Sequence, residues 1–298
     1  MIDGTLLAAS QIDVPATSLR MAKRALSDAD FARYSAVTLH DITYASSGLK
    51  IKGFLALPPA GQEPYPAIIF NRGGSGPRGA LSVEGAMNLI GLYASWGYVA
   101  IASNYRGVGG SEGDREEWGA GDVDDAINLL PLLDALPYVD RTRIGLIGGS
   151  RGGMMAFMML RRTRRFRAAV TFGAPTRIDA EKASAYIRAT MMKHLPVDSV
   201  VQEEAQRRSV CSWANELSPT TPLLILHGTG DRRVHTEHAL HLGLELQRLH
   251  FPYKLILYDN ADHVLAGRRD ESNTDIRWWM DTYVRDASPL PRTGPHGA

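Results

Sequence analysis

Within this chain of 298 residues, positions 143–153 read Arg-Ile-Gly-Leu-Ile-Gly-Gly-Ser-Arg-Gly-Gly, so that a short apolar run delivers one serine into a bed of glycines. The run 144–147 reads as a buried strand and 154–160 as an apolar helix, which sets Ser150 on a sharp strand-to-helix turn. Gly148 and Gly152 supply G-x-S-x-G spacing, because a side chain at either position would meet the adjoining strand or helix. Such a turn projects the hydroxyl outward and points the first amides of a helix at whatever it attacks. The chemistry this permits is nucleophilic attack on a carbonyl. A serine hydroxyl is a poor nucleophile at neutral pH, so it needs a base to take its proton and an acid to fix that base's tautomer.

Two later segments can supply these partners. The apolar strand 223–226 is followed by a loop bearing Asp231, and a second strand beginning at Tyr253 is followed by a loop bearing His263. Both residues lie just past strand ends, the edge of an open α/β sheet where ligand sites gather. The order Ser150, Asp231, His263 is that of the α/β-hydrolase fold. Asp262 and Asp259 are rival acids, but adjacent residues on a strand-end loop rarely point at each other, which favours Asp231. Among the other histidines, His227 ends a buried strand and reads as a packed or hydrogen-bonded residue. His235, His238 and His241 recur every three residues, fan across about 120° of helix surface, and lack the neighbouring carboxylates or cysteines of a zinc site. They read as a solvated face, and no metal is expected. His40, His194, His250 and His296 have no motif around them.

The combination of motifs resembles the catalytic domain of the prolyl oligopeptidase family of serine peptidases, a branch of the α/β hydrolases. The likeness spans residues 35–284 and rests on the hairpin region 44–58, Asn71-Arg-Gly-Gly, Asn104-Tyr-Arg-Gly, the serine turn, His227-Gly-Thr-Gly-Asp-Arg-Arg-Val and Asp262-His. The resemblance implies Ser150 as nucleophile, Asp231 as orienting acid and His263 as general base. It also implies an oxyanion hole from the amide of Arg151 and an amide of the Gly73–Gly74 loop. Arg233 stands where some family members bind a substrate carbonyl; a structural arginine bracing the loop is the other reading. Some members use a tyrosine hydroxyl before the glycine pair, and here that position is Arg72.

The family's oligopeptidases usually carry a long N-terminal β-propeller, whereas only residues 1–35 precede the region of likeness here. These read as a helical arm, with short amphipathic helices between Thr17 and Tyr34. Control of access is expected instead from residues 176–222, because roughly fifty residues separate two strands where a crossover needs about a dozen. Helical stretches around Glu181–His194 and Ser199–Arg208 make this segment a candidate cap, with Tyr186, Met191, Met192 and Trp213 as candidate pocket residues.

Composition narrows the function classes. Lys plus Arg number 33 against 32 Asp plus Glu, a net charge of +1, which argues against a nucleic-acid binder. The basic run 161–167 falls at the C-terminal end of the serine helix, where cations suit the dipole. A single cysteine, Cys211, excludes an internal disulfide. With no signal peptide and no apolar run long enough to span a bilayer, a cytoplasmic protein without membrane association is expected. The loop Gly74-Ser-Gly-Pro-Arg-Gly79 fits a dinucleotide pattern, but the next strand ends in Asn104 rather than the acid that would hold a ribose; no cofactor is expected.

The sequence therefore predicts an α/β-hydrolase fold: a mostly parallel central sheet flanked by helices, with a helical insertion as cap. The expected organisation is an arm at 1–35, a catalytic domain at 36–285 and a disordered tail at 286–298. The expected activity is hydrolysis of a peptide, amide or carboxyl-ester bond in a small molecule or short peptide; a homo-oligomer is compatible with it. A carboxylesterase or acyltransferase acting on a small metabolite is the alternative, and a non-catalytic ligand receptor on the same fold is a third.

Overall fold

A computed structural model describes every residue except Gln62, residues 181–184, Arg292 and residues 294–298. Its nine-stranded, mostly parallel sheet has the order β1-β2-β3-β5-β4-β6-β7-β8-β9. The chain divides into two compact units, Met1–Ile144 and Gly145–Ala298.

In the N-terminal unit, β1 (Leu6–Ile12), β2 (Thr38–Ser46) and β3 (Leu49–Leu57) form an antiparallel meander, while β4 (Tyr65–Asn71) lies parallel to β5 (Val99–Ser103). Its helices are α1 (Ala16–Ala25), α2 (Asp28–Ser35), α3 (Val83–Ala86), α4 (Leu92–Ser95), α5 (Gly121–Ile127) and α6 (Leu129–Asp134). The β2–β3 register pairs Ser46 with Leu49, leaving Ser47 (φ 49°) and Gly48 (φ 81°) as a two-residue loop. Positive φ at both central residues is what a type I′ turn requires, and its twist matches the flanking strands. Every residue of β4 and β5 is buried, as expected for strands covered on both faces.

The arm differs from its sequence reading. It holds the expected helices α1 and α2, but Leu6–Ile12 is a strand paired with β2. All but the last of its residues are exposed, so its sequence carries no alternation of buried and exposed positions; backbone pairing alone defines it.

In the C-terminal unit, the end of β6 (Val139–Gly149) pairs in parallel with β7 (Ala168–Phe172), followed by β8 (Leu223–Gly228) and β9 (Tyr253–Tyr258). The helices are α7 (Arg151–Arg162), α8 (Ala185–Met192), α9 (Val201–Arg207), α10 (Glu237–Arg248) and α11 (Arg269–Met280). Helix α7 is buried continuously from Arg151 to Leu160, which explains its apolar sequence all round.

The segment between β7 and β8 holds α8, α9 and two short 3₁₀ turns. The expected helical start at Glu181 lies outside the described residues, as do Arg292 and 294–298 of the expected disordered tail. The segment is tied down at its base: the Ile178 and Asp179 amides donate to Ser209 Oγ, and the Cys211 amide to the Thr176 carbonyl. Arg161 makes two hydrogen bonds to Glu216 and lies 4.9 Å over the Trp213 ring. Arg161 stands eleven positions past Ser150, about 16 Å along the helix, so Trp213 packs beside the far end of α7 rather than at the serine. Met191 is buried, while Tyr186 and Met192 are exposed.

Candidate active site

Ser150 sits between β6 and α7 with φ 54° and ψ −126°, a conformation costing about 1–3 kcal/mol in a non-glycine residue. The surroundings over-determine it. The Ser150 amide donates to the Phe172 carbonyl at 2.8 Å, and its own carbonyl accepts from the amides of Gly153 and Met154, beginning α7. Gly148 permits the crossing: a β-carbon there would lie 2.3 Å from the Gly152 carbonyl oxygen. The Arg151 amide stands at the first position of α7, among the helix N-terminal amides that lack an intrahelical acceptor.

Asp231 and His263 are brought together by two loops that cross at close range. The Thr229 amide donates to the Tyr258 carbonyl, the Asn260 amide to Thr229 Oγ1, and the Gly230 amide to the Ala261 carbonyl. Gly228 lets the chains approach, since a β-carbon there would meet the Ala261 carbonyl oxygen at 2.2 Å.

His263 Nδ1 lies 2.7 Å from Asp231 Oδ2 and its Nε2 lies 2.9 Å from Ser150 Oγ. A carboxylate can only accept, so Nδ1 carries the hydrogen and Nε2 is left to accept from the serine hydroxyl. Asp231 Oδ1 accepts from the amides of Arg233 (2.8 Å) and Val234 (3.0 Å). Burial pushes the Asp231 carboxyl up, but the His227 and His263 hydrogen bonds and the Val234 amide outweigh it and hold the group well below the usual carboxylate range. The acid is therefore ionised at neutral pH. Its rivals are elsewhere: Asp262 Oδ1 accepts from the amides of Val264 and Ala266, and Asp259 is exposed.

The remaining sequence candidates divide. Arg233 is exposed and engages Asp231 through its backbone amide. Gly73 and Gly74 belong to the N-terminal unit, on the loop after β4, where Gly74 has φ +72°. That loop is braced by a buried ion pair: Arg72 Nη2 lies 2.6 Å from Glu116 Oε1, while Glu116 Oε2 accepts from the Gly76 amide. Arg72 also lies 4.5 Å over the Tyr105 ring, so this arginine is part of the packing beneath the glycines.

Around the Asp231–His263 pair, His227 is packed and hydrogen-bonded as expected, whereas the roles of Gly173 and His238 escape a sequence reading. Gly173, at the end of β7 with φ +55°, lies under the His263 ring; a β-carbon there would be 3.2 Å from Cε1 and Nδ1. His227 Nε2 is 2.8 Å from the Val234 carbonyl oxygen and 3.3 Å from Asp231 Oδ2. His238 corrects the expectation of a solvated histidine face, since it is buried and its Nδ1 accepts from the amides of Thr176 and Arg177. Burial and the nearby His227, His235 and Arg177 push its pKa down to about 4. Periodicity placed three histidines on one helix, but α10 begins at Glu237 and turns this one inward.

Among the described residues no helix is long and apolar enough to cross a membrane, and no group of three or more His, Cys, Asp or Glu is arranged to hold a metal ion. Residues 86–285 match the family described as the prolyl oligopeptidase family. A Bacillus subtilis protein named uncharacterized peptidase YtmA is 30% identical over 248 residues, covering 82% of this chain and 93% of the relative. An acylaminoacyl peptidase from Pyrococcus horikoshii aligns with a TM-score of 0.70 at 21% identity, covering 89% of this chain but 43% of that one. A Pyrococcus furiosus esterase aligns with a TM-score of 0.63 at 19% identity, covering 82% of this chain and 90% of that one. At these identities the two solved structures speak to fold alone: both share the α/β-hydrolase architecture.

Proposed function

The chain belongs to the prolyl oligopeptidase family and is a serine hydrolase, and from that premise we propose that it cleaves a peptide, amide or carboxyl-ester bond through an acyl-enzyme on Ser150. In this reading Ser150 Oγ attacks the carbonyl carbon while His263 Nε2 takes the hydroxyl proton. The oxyanion rests on the Arg151 amide, with the second donor assigned to the Gly73–Gly74 loop by the family resemblance. His263 then returns the proton to the leaving nitrogen or oxygen. Water attacks the acyl group with His263 again as base, which frees the acid and restores the hydroxyl. Asp231 steadies the imidazolium in both halves. Arg233 is assigned the substrate carbonyl, and residues 176–222 a cap that restricts what enters.

The observation that carries this reading is the unbroken relay of two hydrogen bonds, 2.9 Å from Ser150 to His263 and 2.7 Å from His263 to Asp231. A ligand receptor has no use for a serine held in strained backbone against an oriented base. The test is a parallel screen of p-nitrophenyl esters, N-acylated amino-acid anilides and short peptide anilides, with Ser150→Ala as the blank. Turnover of anilides supports peptidase chemistry, and turnover confined to short-chain esters gives the esterase reading. Product carrying an added amine or alcohol makes the chain an acyltransferase. Ser150-independent turnover, or none by a folded chain across the whole panel, overturns the proposal.

A further inference from the structure

His227 is the penultimate residue of β8, just before the loop that carries Asp231, and its side chain is 1% exposed. Its Nε2 faces two oxygens, the Val234 carbonyl at 2.8 Å and Asp231 Oδ2 at 3.3 Å. Neither can donate, so Nε2 carries the hydrogen and divides it between them. The carboxylate is thus held in two ways. Backbone amides of Arg233 and Val234 pin Oδ1, whereas Oδ2 receives two imidazole donors, His263 and His227.

We propose that His227 is a positioning residue for the catalytic acid: by donating to Asp231 Oδ2 it withdraws charge from the oxygen that orients His263 and so sets the pH range over which His263 works as a base. This rests on the Ser150 acyl-enzyme reading above. A donor shared with Oδ2 lowers the negative charge that Oδ2 offers the His263 imidazolium. Removing the donor leaves the carboxylate in place on its two amides but concentrates charge on Oδ2, which favours protonated His263. The groups that face His227 are Asp231, His263 through that carboxylate, and His238 from α10; Arg177 and His235 act on His238 in turn. His238, held down to about 4, stays largely uncharged above about pH 5, which leaves Oδ2 as the point of action.

The pH dependence of kcat/KM for wild type, His227→Met and His227→Gln tests this. Methionine fills the volume without a donor, while the glutamine amide reaches as far as Nε2 and donates without titrating. The expected result is that the pH of half-maximal kcat/KM on the acid side moves up by about half to one unit in His227→Met, a three- to tenfold loss at fixed acid pH. It returns to the wild-type position in His227→Gln. A His227→Met profile that superimposes on wild type, or drops without shifting, makes His227 a packing residue and overturns the proposal. If the methionine variant does not fold, nitrogen-15 histidine spectra, assigned with His227→Gln, decide the matter: a hydrogen on Nε2 of His227 whose signal moves in Asp231→Asn supports the proposal, and a hydrogen on Nδ1, or an Nε2 signal that Asp231→Asn leaves in place, overturns it. Absence of Ser150-dependent turnover in the wild type counts against the enzymatic reading alone, since the tautomer remains readable.

Discussion

Gly173→Ala should disable the base more than it destabilises the fold. Gly173 has φ +55°, and an added β-carbon would meet the His263 carbonyl oxygen at 2.9 Å and the ring atoms Cε1 and Nδ1 at 3.2 Å. Ordinary contact begins near 3.4 Å and contacts under 3.0 Å are essentially never seen, so the His263 carbonyl must move and the imidazole must yield by a few tenths of an ångström. It has little room to do so, because Nδ1 is held by Asp231 at 2.7 Å while Nε2 faces Ser150 at 2.9 Å. A 1 Å misplacement costs about 10² in rate, so this smaller one should lower kcat by about three- to tenfold. The left-handed backbone adds about 1–2 kcal/mol of strain for alanine. Gly97→Ala isolates that second effect, since Gly97 also has positive φ (+100°) but nothing within 4 Å of its would-be β-carbon. The assay is kcat on the best substrate of the panel, together with urea unfolding, for both variants. Stability should fall in both variants, further in Gly173→Ala where the His263 carbonyl is also met, with kcat reduced only in Gly173→Ala. Full kcat in a folded Gly173→Ala would refute it.

Three other outcomes follow from the geometry. Asp231→Asn should leave the fold intact and lower kcat by about 10³–10⁴, because the amide no longer enforces the Nδ1–H tautomer of His263; near-full kcat would remove Asp231 from the relay. Glu116→Gln removes the buried carboxylate 2.6 Å from Arg72 and should cost about 3–5 kcal/mol in urea unfolding, a value below 1 kcal/mol marking the pair as dispensable. Acid stability should reveal His238, whose pKa is lowered from 6.5 to about 4 in the fold. Between those values the unfolded chain binds more protons, so this contribution is present above pH 6.5 and is lost as pH falls toward 4, about 3 kcal/mol in all. His238→Asn should flatten that part of the stability profile, and an unchanged slope would contradict the assignment.

The parts of the site legible in the sequence are those written in local pattern. The serine turn shows because a strand and a helix that cross so closely admit only glycine at Gly148, and spacing records that constraint. Asp231 and His263 show because each follows an apolar strand directly. What the sequence hides is contact between residues far apart or outside a regular period. Arg72 and Glu116 are 44 positions apart, and neither type signals burial. His227 and Asp231 lie four apart across the end of a strand, where no helical face links them, so the histidine reads as core and its second acceptor goes unseen. Gly173 resembles any strand-ending glycine until the imidazole is placed against it. Strand β1 is missed because its exposed side chains carry no burial pattern, and Trp213 is misplaced because an insertion's sequence does not reveal which end of α7 it covers.

An activated Ser150 is open to covalent capture: the folded chain is incubated with a fluorophosphonate and the adduct mapped by mass spectrometry, beside Ser150→Ala and His263→Gln. One adduct is expected, on Ser150, lost in Ser150→Ala and slowed at least a hundredfold, on the order expected for losing the base, in His263→Gln. An adduct that persists in Ser150→Ala, or a folded chain that takes none, would contradict it.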